Sequence, residues 1–195
     1  MQIVSFPEAD TPPELRAQAL ALQAEAWPSL GAPEREPGHD PLLHPLSMLL
    51  VEDGRVLATL DILSKEIVHA GRRLTAGGLS TVVTCEGLRG KGLGRQLVTA
   101  ARELMAGHTS AFRRLDVGLF TCDRPLLGFY ERAGWQLLPG TVLVGGTPAE
   151  PFPSDQPGFD KVTLGGFFTR AGREARASFP HARVALYPGE IDKLW

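Results

Sequence analysis

Cysteine is scarce in this 195-residue sequence, which carries only Cys85 and Cys122. Two isolated cysteines provide neither the disulfide framework of a small secreted protein nor the ligand pairs of a structural zinc site. The five histidines show no H-E-x-x-H spacing or similar metal-ligand pattern either. The sequence therefore predicts reduced thiols and no metal centre.

Long apolar runs and charge of one sign are missing too. Residues 1–8 contain no basic segment followed by an apolar stretch, and no window approaches the roughly 18 uninterrupted apolar residues of a membrane span. The net charge of −2 gives no global field that would attract nucleic acid or anionic lipid. We expect a cytoplasmic protein without nucleic-acid or membrane partners, whose partner is a small molecule held at a local site.

What the chain does have is an ordinary globular composition, 43% hydrophobic and 22% charged, which suffices for one compact domain. Thr11, with proline behind it and Glu14 three positions on, predicts a capping box for a helix that runs to about Trp27. Residues 28–45 contain five prolines and predict a loop on the substrate side.

Turn signals divide the next stretch into an antiparallel meander. Asp53-Gly54 and Ala70-Gly71 separate predicted strands over 46–51, 55–68 and 72–85. The elements predicted after the meander are a helix from a glycine-rich turn to about residue 106, a strand over 115–121, a helix from Asp123 to Gly134, strands over 135–144 and 159–164, and a short helix near 169–178.

The glycine-rich turn, residues 89–95, has the chemistry of an anion site. A helix that begins without a cap offers free backbone N–H groups and a partial positive charge, and glycines remove the β-carbons that would keep a phosphate away. Arg89, Lys91 and Arg95 add charge-assisted contacts. The turn matches neither G-x-G-x-x-G, because residue 95 is arginine, nor a P-loop, because Lys91 precedes glycine. We therefore expect it to hold a pyrophosphate group.

Arg89, Gly92 and Gly94 match the signature [QR]-x-x-G-x-[GA], and residues 129–135 match a second segment, F-Y-x-x-x-G-[FW], one strand and one helix later. With both segments in register, the chain resembles the GNAT superfamily of N-acetyltransferases. The resemblance covers about residues 1–164 and implies an α/β (α+β) fold with a mostly antiparallel central sheet of about seven strands and helices on both faces. Residues 165–195 are then a C-terminal extension packed on the same domain.

The resemblance implies direct transfer from acetyl-CoA to a small-molecule primary amine in a ternary complex, without a metal. A backbone N–H near Val82 would donate to the oxyanion, and Tyr130 would donate a proton to the leaving thiolate. The residues expected to bind acetyl-CoA are Val82, Val83, Thr84, Arg89, Gly90, Lys91, Gly92, Leu93, Gly94, Arg95 and Asp123.

The general base is left open. Relatives often carry a glutamate where this sequence has Ser80 and Thr81, and neither hydroxyl is a base. Glu66 on the neighbouring strand, or Asp40, could act through water, and an acceptor amine of low pKa would need little help. The missing carboxylate favours an alternative, in which the chain is a non-catalytic acyl-CoA-binding or sensing module.

A narrower similarity is to the aminoglycoside 2′-N-acetyltransferases, which bind a polycationic sugar with scattered carboxylates. The loosely matching positions, and so the predicted substrate-binding residues, are Asp40, Asp155 or Asp160, Asp192 and Trp195. This similarity makes amino-sugar acetylation a second alternative. Acylation of a protein N-terminus or lysine is a third, and family habit also suggests a homodimer.

Overall fold

The computed structural model describes residues 1–28, 38–107, 112 and 114–195. Residues 29–37 of the predicted loop, and one of the five histidines, His108, lie outside the described residues. Residues 38–45 of that loop are described, and they include a short 3-10 helix, Pro41–Leu43, whose preceding residue Asp40 accepts a hydrogen bond from the amide of Leu42.

The described part of the chain contains ten strands and four α-helices. The strands are β1 (Gln2–Pro7), β2 (Leu46–Glu52), β3 (Arg55–His69), β4 (Arg72–Thr84), β5 (Val117–Asp123), β6 (Gln136–Leu137), β7 (Val142–Gly146), β8 (Pro151–Pro153), β9 (Lys161–Phe167) and β10 (Arg183–Ala185). The helices are α1 (Pro13–Ala26), α2 (Leu93–Ala106), α3 (Leu127–Glu131) and α4 (Arg170–Ala175).

Seven strands form the central sheet in the order β1-β2-β3-β4-β5-β9-β6. All neighbours in it are antiparallel except β4 and β5, which run parallel. A second sheet has the order β10-β7-β8. The predicted fold class, a mixed fold with a mostly antiparallel sheet of about seven strands, is confirmed.

Tight turns build the meander β2-β3-β4 as predicted. Asp53 and Gly54 have φ values of 49° and 75°, and Ala70 and Gly71 have values of 48° and 74°. A two-residue hairpin turn whose twist matches that of the flanking strands requires positive φ at both of its central residues. The pairing of β2 with β3 and of β3 with β4 follows from these turns.

Helices cover both faces of the central sheet. On one face α2 buries Leu97, Val98 and Ala101 in a core that also holds Tyr130 of α3 and Trp135. On the other face, α1 packs on side chains from the strands; the buried members of this smaller core are Ala19, Leu22, Leu49, Val51, Val56 and Val83. The sheet is thus buried on both sides at β3 and β4, which explains their nearly continuous apolar sequence.

The predicted capping box at the start of the first helix is wrong. The residue that precedes α1 is Pro12, which offers no side-chain cap, and the Thr11 hydroxyl donates instead to the Pro7 carbonyl at 3.5 Å. The prediction failed because a 3-10 turn, Glu8–Asp10, comes directly before Thr11 and turns its side chain back toward β1. The Asp123 side chain likewise makes no cap; a 3-10 turn, Arg124–Leu126, separates it from α3.

The strand predicted over residues 135–144 is two strands in two sheets. β6 ends at Leu137, Gly140 adopts a φ of 63°, and the chain then enters β7 of the second sheet. Pro139 and Gly140 break the strand, since proline lacks the amide donor and glycine favours the left-handed turn. β9 is longer than predicted and runs to Phe167, so residue 164 lies inside a strand of the central sheet.

Candidate active site

A cleft opens between the ends of β4 and β5, because the two parallel strands pair at only two positions. The paired residues are Ala76 with Val117 and Gly77 with Gly118. Beyond them β4 continues to Thr84 and β5 to Asp123 without further pairing to each other. Backbone groups that face such a cleft can bind an extended ligand as an added strand would.

The glycine-rich turn lies at the mouth of this cleft. β4 ends at Thr84, a 3-10 turn covers Glu86–Leu88, and α2 begins after Gly92, which has a φ of 86°. Among the described residues no side chain caps α2, so its first amides are free to bind an anion. Arg89, Lys91 and Arg95 are exposed around these amides.

Gly94 has a packing role as well. It is buried, and a β-carbon there would lie 2.7 Å from the Thr84 hydroxyl oxygen and 3.5 Å from the Phe129 ring. A side chain at position 94 would therefore push α2 away from the end of β4 and from α3. The closeness of these three elements, which brings the anion site to the cleft, depends on glycine at this position.

Tyr130 projects from α3 into the core beside β5. Its ring packs edge-on against Phe120 at 5.0 Å and against Phe129 at 4.9 Å between centroids. Burial, followed by the nearby Cys122 and Asp123, raises the pKa of Tyr130 above its usual value. The phenol therefore stays protonated at neutral pH and is available as a proton donor. Burial likewise raises the pKa of Cys122 to about 11, so that thiol is not a nucleophile.

A β-bulge interrupts β4 at the side of the cleft. Thr59 pairs with Val83 and Asp61 pairs with Ser80, so two residues of β4, Thr81 and Val82, face one residue of β3. Thr81 has a φ of 50°, which is unusual for a β-branched residue. Ser80, one of the predicted catalytic residues, is buried at the start of this bulge.

A buried carboxylate, which the sequence analysis missed, holds the bulge. Asp61 of β3 accepts hydrogen bonds from the hydroxyls of Ser47, at 2.5 Å, and Thr81, and from the Gln23 amide at 3.3 Å. His39 Nε2 lies 3.4 Å from the same carboxylate. The signal in the sequence was a single charged residue within the mostly apolar run 56–63 of β3.

His39 joins Asp61 to the C-terminal segment. Its Nδ1 lies 2.5 Å from Asp192 Oδ1, and Asp192 Oδ2 accepts from the Asp40 amide at 2.9 Å. Burial, the largest influence, lowers the pKa of His39, but the hydrogen bond to Asp192 and the pairing with Asp61 outweigh it and raise the pKa to about 10. Burial raises the pKa of Asp61, yet His39, Ser47 and Thr81 together keep it below its usual value. His39 is thus a buried cation between two carboxylates.

Comparisons with known proteins agree with this geometry. The model of the acetyltransferase (GNAT) family matches residues 13–135, which include β2 to β5, the glycine turn and Trp135. The chain belongs to the GNAT acetyltransferase family. No curated protein sequence matches it.

Solved structures share the GNAT architecture at low sequence identity. An acyl-CoA N-acyltransferase from Pseudomonas aeruginosa is 19% identical, with a TM-score of 0.55 over 84% of this chain and 97% of that one. ElaA from Escherichia coli is 15% identical, with a TM-score of 0.56 over 85% and 99%. An aminoglycoside 6′-N-acetyltransferase complexed with coenzyme A is 14% identical, with a TM-score of 0.58 over 87% and 98%. At these identities the likeness shows the fold.

Three of the four predicted substrate-binding residues of this GNAT chain gather on one side of the cleft. Asp40 and Asp192 are joined through the backbone amide of Asp40. The ring of Trp195 packs over Gly78 of β4, where an added β-carbon would lie 2.5 Å from the indole. Because Gly78 follows the last residue of β4 that pairs with β5, the indole lies at the point where the cleft begins. The segment that carries Asp192 and Trp195 therefore covers this end of the cleft.

Asp160 is not part of that group. It is exposed and pairs with Arg124 at 2.7 Å, next to a second pair between Asp123 and the half-buried Lys161 at 2.8 Å. Both pairs lie at the far end of β5 and the start of β9, near the mouth of the cleft. Asp155, the alternative to Asp160, pairs with Arg183 at 2.8 Å.

Glu66, the other predicted catalytic carboxylate, is not brought to the cleft. It is exposed, pairs with Arg73 at 3.2 Å, and lies five residues along β3 from Asp61, roughly 16 Å at the usual rise of a strand. It lines a cavity of about 880 Å³ together with Arg16, His44 and Lys65. This cavity lies beyond the paired ends of β4 and β5, on the other side from the glycine turn.

The part of the chain that the structure describes contains no candidate metal site and no candidate membrane-spanning helix. No group of three or more His, Cys, Asp or Glu side chains there could hold a metal ion. None of the helices described is long and apolar enough to cross a membrane. Both cysteines are free thiols.

Proposed function

We propose that this GNAT acyltransferase transfers an acetyl group from acetyl-CoA to a small-molecule primary amine, directly and within a ternary complex. The observation that carries the proposal is the uncapped start of α2 at the mouth of the cleft between β4 and β5. Free amides there suit a pyrophosphate, and unpaired strand edges behind them suit an extended chain. Residues 1–164 supply the cleft, and the extension 165–195 continues β9 to Phe167 and then packs on the same domain.

Acetyl-CoA supplies the acetyl group as a thioester. In the proposal, the diphosphate lies against residues 89–95, with Gly90 and Gly92 leaving room and Arg89 and Arg95 adding charge. The backbone of Val82, Val83 and Thr84 lines the cleft for the extended arm, and Asp123 stands at its mouth on β5. These assignments are supported by the common location of the three segments around one opening.

Two groups of the chain act on the reacting atoms in this proposal. A backbone amide near Val82 donates to the oxyanion, a preorganised contact that costs no reorganisation during the reaction. Tyr130, protonated at neutral pH, donates its proton to the departing thiolate. Ser80 is our candidate for relaying the proton of the amine to water, because Glu66 lies away from the cleft. An acceptor with an amine of low pKa would not need this relay.

The acceptor is proposed to enter beneath the segment that carries Asp40, Asp192 and Trp195. The cover favours a compact amine over a long polypeptide, and the Asp40 carboxylate favours a cation, whereas Asp192 is already paired with His39. Asp160 would contact only an acceptor that reaches the mouth of the cleft. A cytoplasmic protein that acts as a monomer or homodimer, without a nucleic-acid or membrane partner, fits this role.

Thermal unfolding with acetyl-CoA and a panel of primary amines tests the proposed function. Ligand that binds only the folded state at about 100 times its Kd stabilises it by about 2.7 kcal/mol, so acetyl-CoA is expected to raise Tm clearly. Release of free thiol then identifies acceptors, with amino sugars, polyamines and a lysine peptide in separate wells. Failure of acetyl-CoA to shift Tm contradicts the proposal, whereas binding without turnover of any amine supports the sensing module.

Changing Gly92 to alanine is expected to raise the Kd of CoA by about 10-fold, since the turn loses part of one charge-assisted contact worth about 1.4 kcal/mol. Its φ of 86° is strained for alanine, so the turn must move. Gly87→Ala is the matched control, because a β-carbon at position 87 meets nothing within 4 Å. Isothermal titration with CoA measures both variants, and equal affinities would show that the turn does not hold the diphosphate.

A further inference from the structure

We propose that Asp61 is a positioning residue, whose carboxylate holds Thr81 and thereby fixes the β4 bulge that aims the amide of Val82 into the cleft. The inference rests on the proposed function, because that function gives the amide its role. Asp61 lies outside the glycine-rich turn and outside the segment 129–135. It is on β3, which does not line the cleft.

The bulge requires a restraint because Thr81 has an unfavourable backbone conformation. A φ of 50° costs a β-branched residue stability, and glycine is the ordinary occupant of such a position. Conformations of this kind persist only where the surroundings enforce them. The hydroxyl of Thr81 donates to Asp61 Oδ2, and this side-chain contact can enforce the positive φ of Thr81.

The location of the bulge links it to the chemistry. It lies between Gly77, where β4 last pairs with β5, and Thr84, where the glycine turn follows. In this stretch one edge of β4 faces the cleft, and the extra residue changes which backbone groups point there. A shift of the bulge would therefore redirect the amide of Val82 without disturbing the diphosphate site.

Asp61 is suited to positioning and unsuited to be a base. Its two oxygens accept from Ser47, Gln23 and Thr81 and pair with His39, so four donors surround one carboxylate. His39, Ser47 and Thr81 outweigh burial and keep the pKa of Asp61 below its usual value, and so weak a base takes a proton from an ammonium poorly. The partners come from β2, α1, β4 and residues 38–45, which leaves the carboxylate little freedom to move.

Variants of Thr81 and Ser47 test the inference as a matched pair. Both hydroxyls donate to Asp61, but Ser47 lies on β2, on the opposite side of β3 from the cleft. Thr81→Ala is expected to lower kcat by about 10-fold or more, since small misplacements of reacting groups can cost as much as 100-fold. The KM for acetyl-CoA should stay within about twofold, because the diphosphate site is untouched.

Three further variants separate positioning from general damage. Thr81→Ser keeps the hydroxyl and is expected to retain wild-type kcat. Thr81→Gly removes the hydroxyl but adopts the positive φ without strain, so it should recover most of the kcat that Thr81→Ala loses. Ser47→Ala is expected to lower Tm and leave kcat unchanged. Equal kcat losses in Thr81→Ala and Ser47→Ala, or wild-type kcat in Thr81→Ala, would overturn the inference.

A readout without turnover distinguishes this inference from the proposed function. The amide resonance of Val82 is expected to shift when acetyl-CoA is added to ¹⁵N-labelled wild type and to Ser47→Ala, and to shift much less in Thr81→Ala. If wild type binds acetyl-CoA but acetylates no amine, the function fails and this resonance still decides the positioning. A shift of equal size in Thr81→Ala and wild type would overturn the role of Asp61.

Discussion

Replacing Tyr130 with phenylalanine lowers kcat by about 100-fold or more, the usual range for loss of a general acid. The substitution removes only the hydroxyl and keeps the ring contacts with Phe120 and Phe129, so we expect little change in Tm. The KM for acetyl-CoA should also change little, because the diphosphate site lies in a different segment. A loss confined to kcat would indicate an interaction made in the transition state.

The pH dependence of the Tyr130 variant tests whether the phenol stays protonated across the assay range. Burial raises the pKa of Tyr130, so the phenol is protonated across the assay range and its contribution is constant there. The ratio of wild-type to variant kcat should therefore be independent of pH between about 6 and 9.

The other tyrosine of the chain provides the control for this experiment. Tyr187→Phe makes the same chemical change in the C-terminal segment, where the contact of Tyr187 to Lys65 is through the backbone carbonyl. We expect wild-type kcat for Tyr187→Phe. If Tyr130→Phe retains wild-type kcat, or if both variants lose activity equally, Tyr130 is not the acid.

Local signals explain which parts of the site were predictable from the sequence. The hairpin residues Asp53-Gly54 and Ala70-Gly71 specify their own turns, and the glycine turn with α2 needs only its own spacing. The interruption at Pro139-Gly140 also has a local signal, which the apolar pattern around it masked. The assignment of β7 to a second sheet has no local signal, because it depends on pairing with β10 about forty residues later.

The parts that were missed depend on distant contacts. The contact of His39 with Asp192 joins residues 153 positions apart, and no pattern around either residue indicates it. Asp61 was detectable as a charge inside an apolar strand, but its partners come from four other segments. Trp195 was predicted as a substrate contact, while its packing over Gly78 became apparent only from the fold.

Wild-type stability should fall on the order of 4 kcal/mol as the pH rises from about 6.5 to about 10, because the folded state binds the His39 proton more tightly. The contribution is complete below the unfolded pKa of 6.5 and is lost as the pH passes the folded value. The charged groups around this imidazole are Asp61, Asp192, Glu8, whose carboxylate accepts from the His39 amide, and Arg16, which lines the same small cavity.

Denaturant unfolding of wild type and His39→Asn at several pH values measures this contribution. The variant leaves two buried carboxylates without their cation, which typically costs about 3–5 kcal/mol at neutral pH. Its stability should then be nearly flat between pH 7 and 10, where the wild-type value declines. His44→Asn is the control, since His44 is exposed, has a φ of 48° that asparagine tolerates, and should keep the wild-type slope. A wild-type protein whose stability does not change over this range would contradict a protonated His39 and, with it, the ionic link between Asp61 and the segment that covers the cleft.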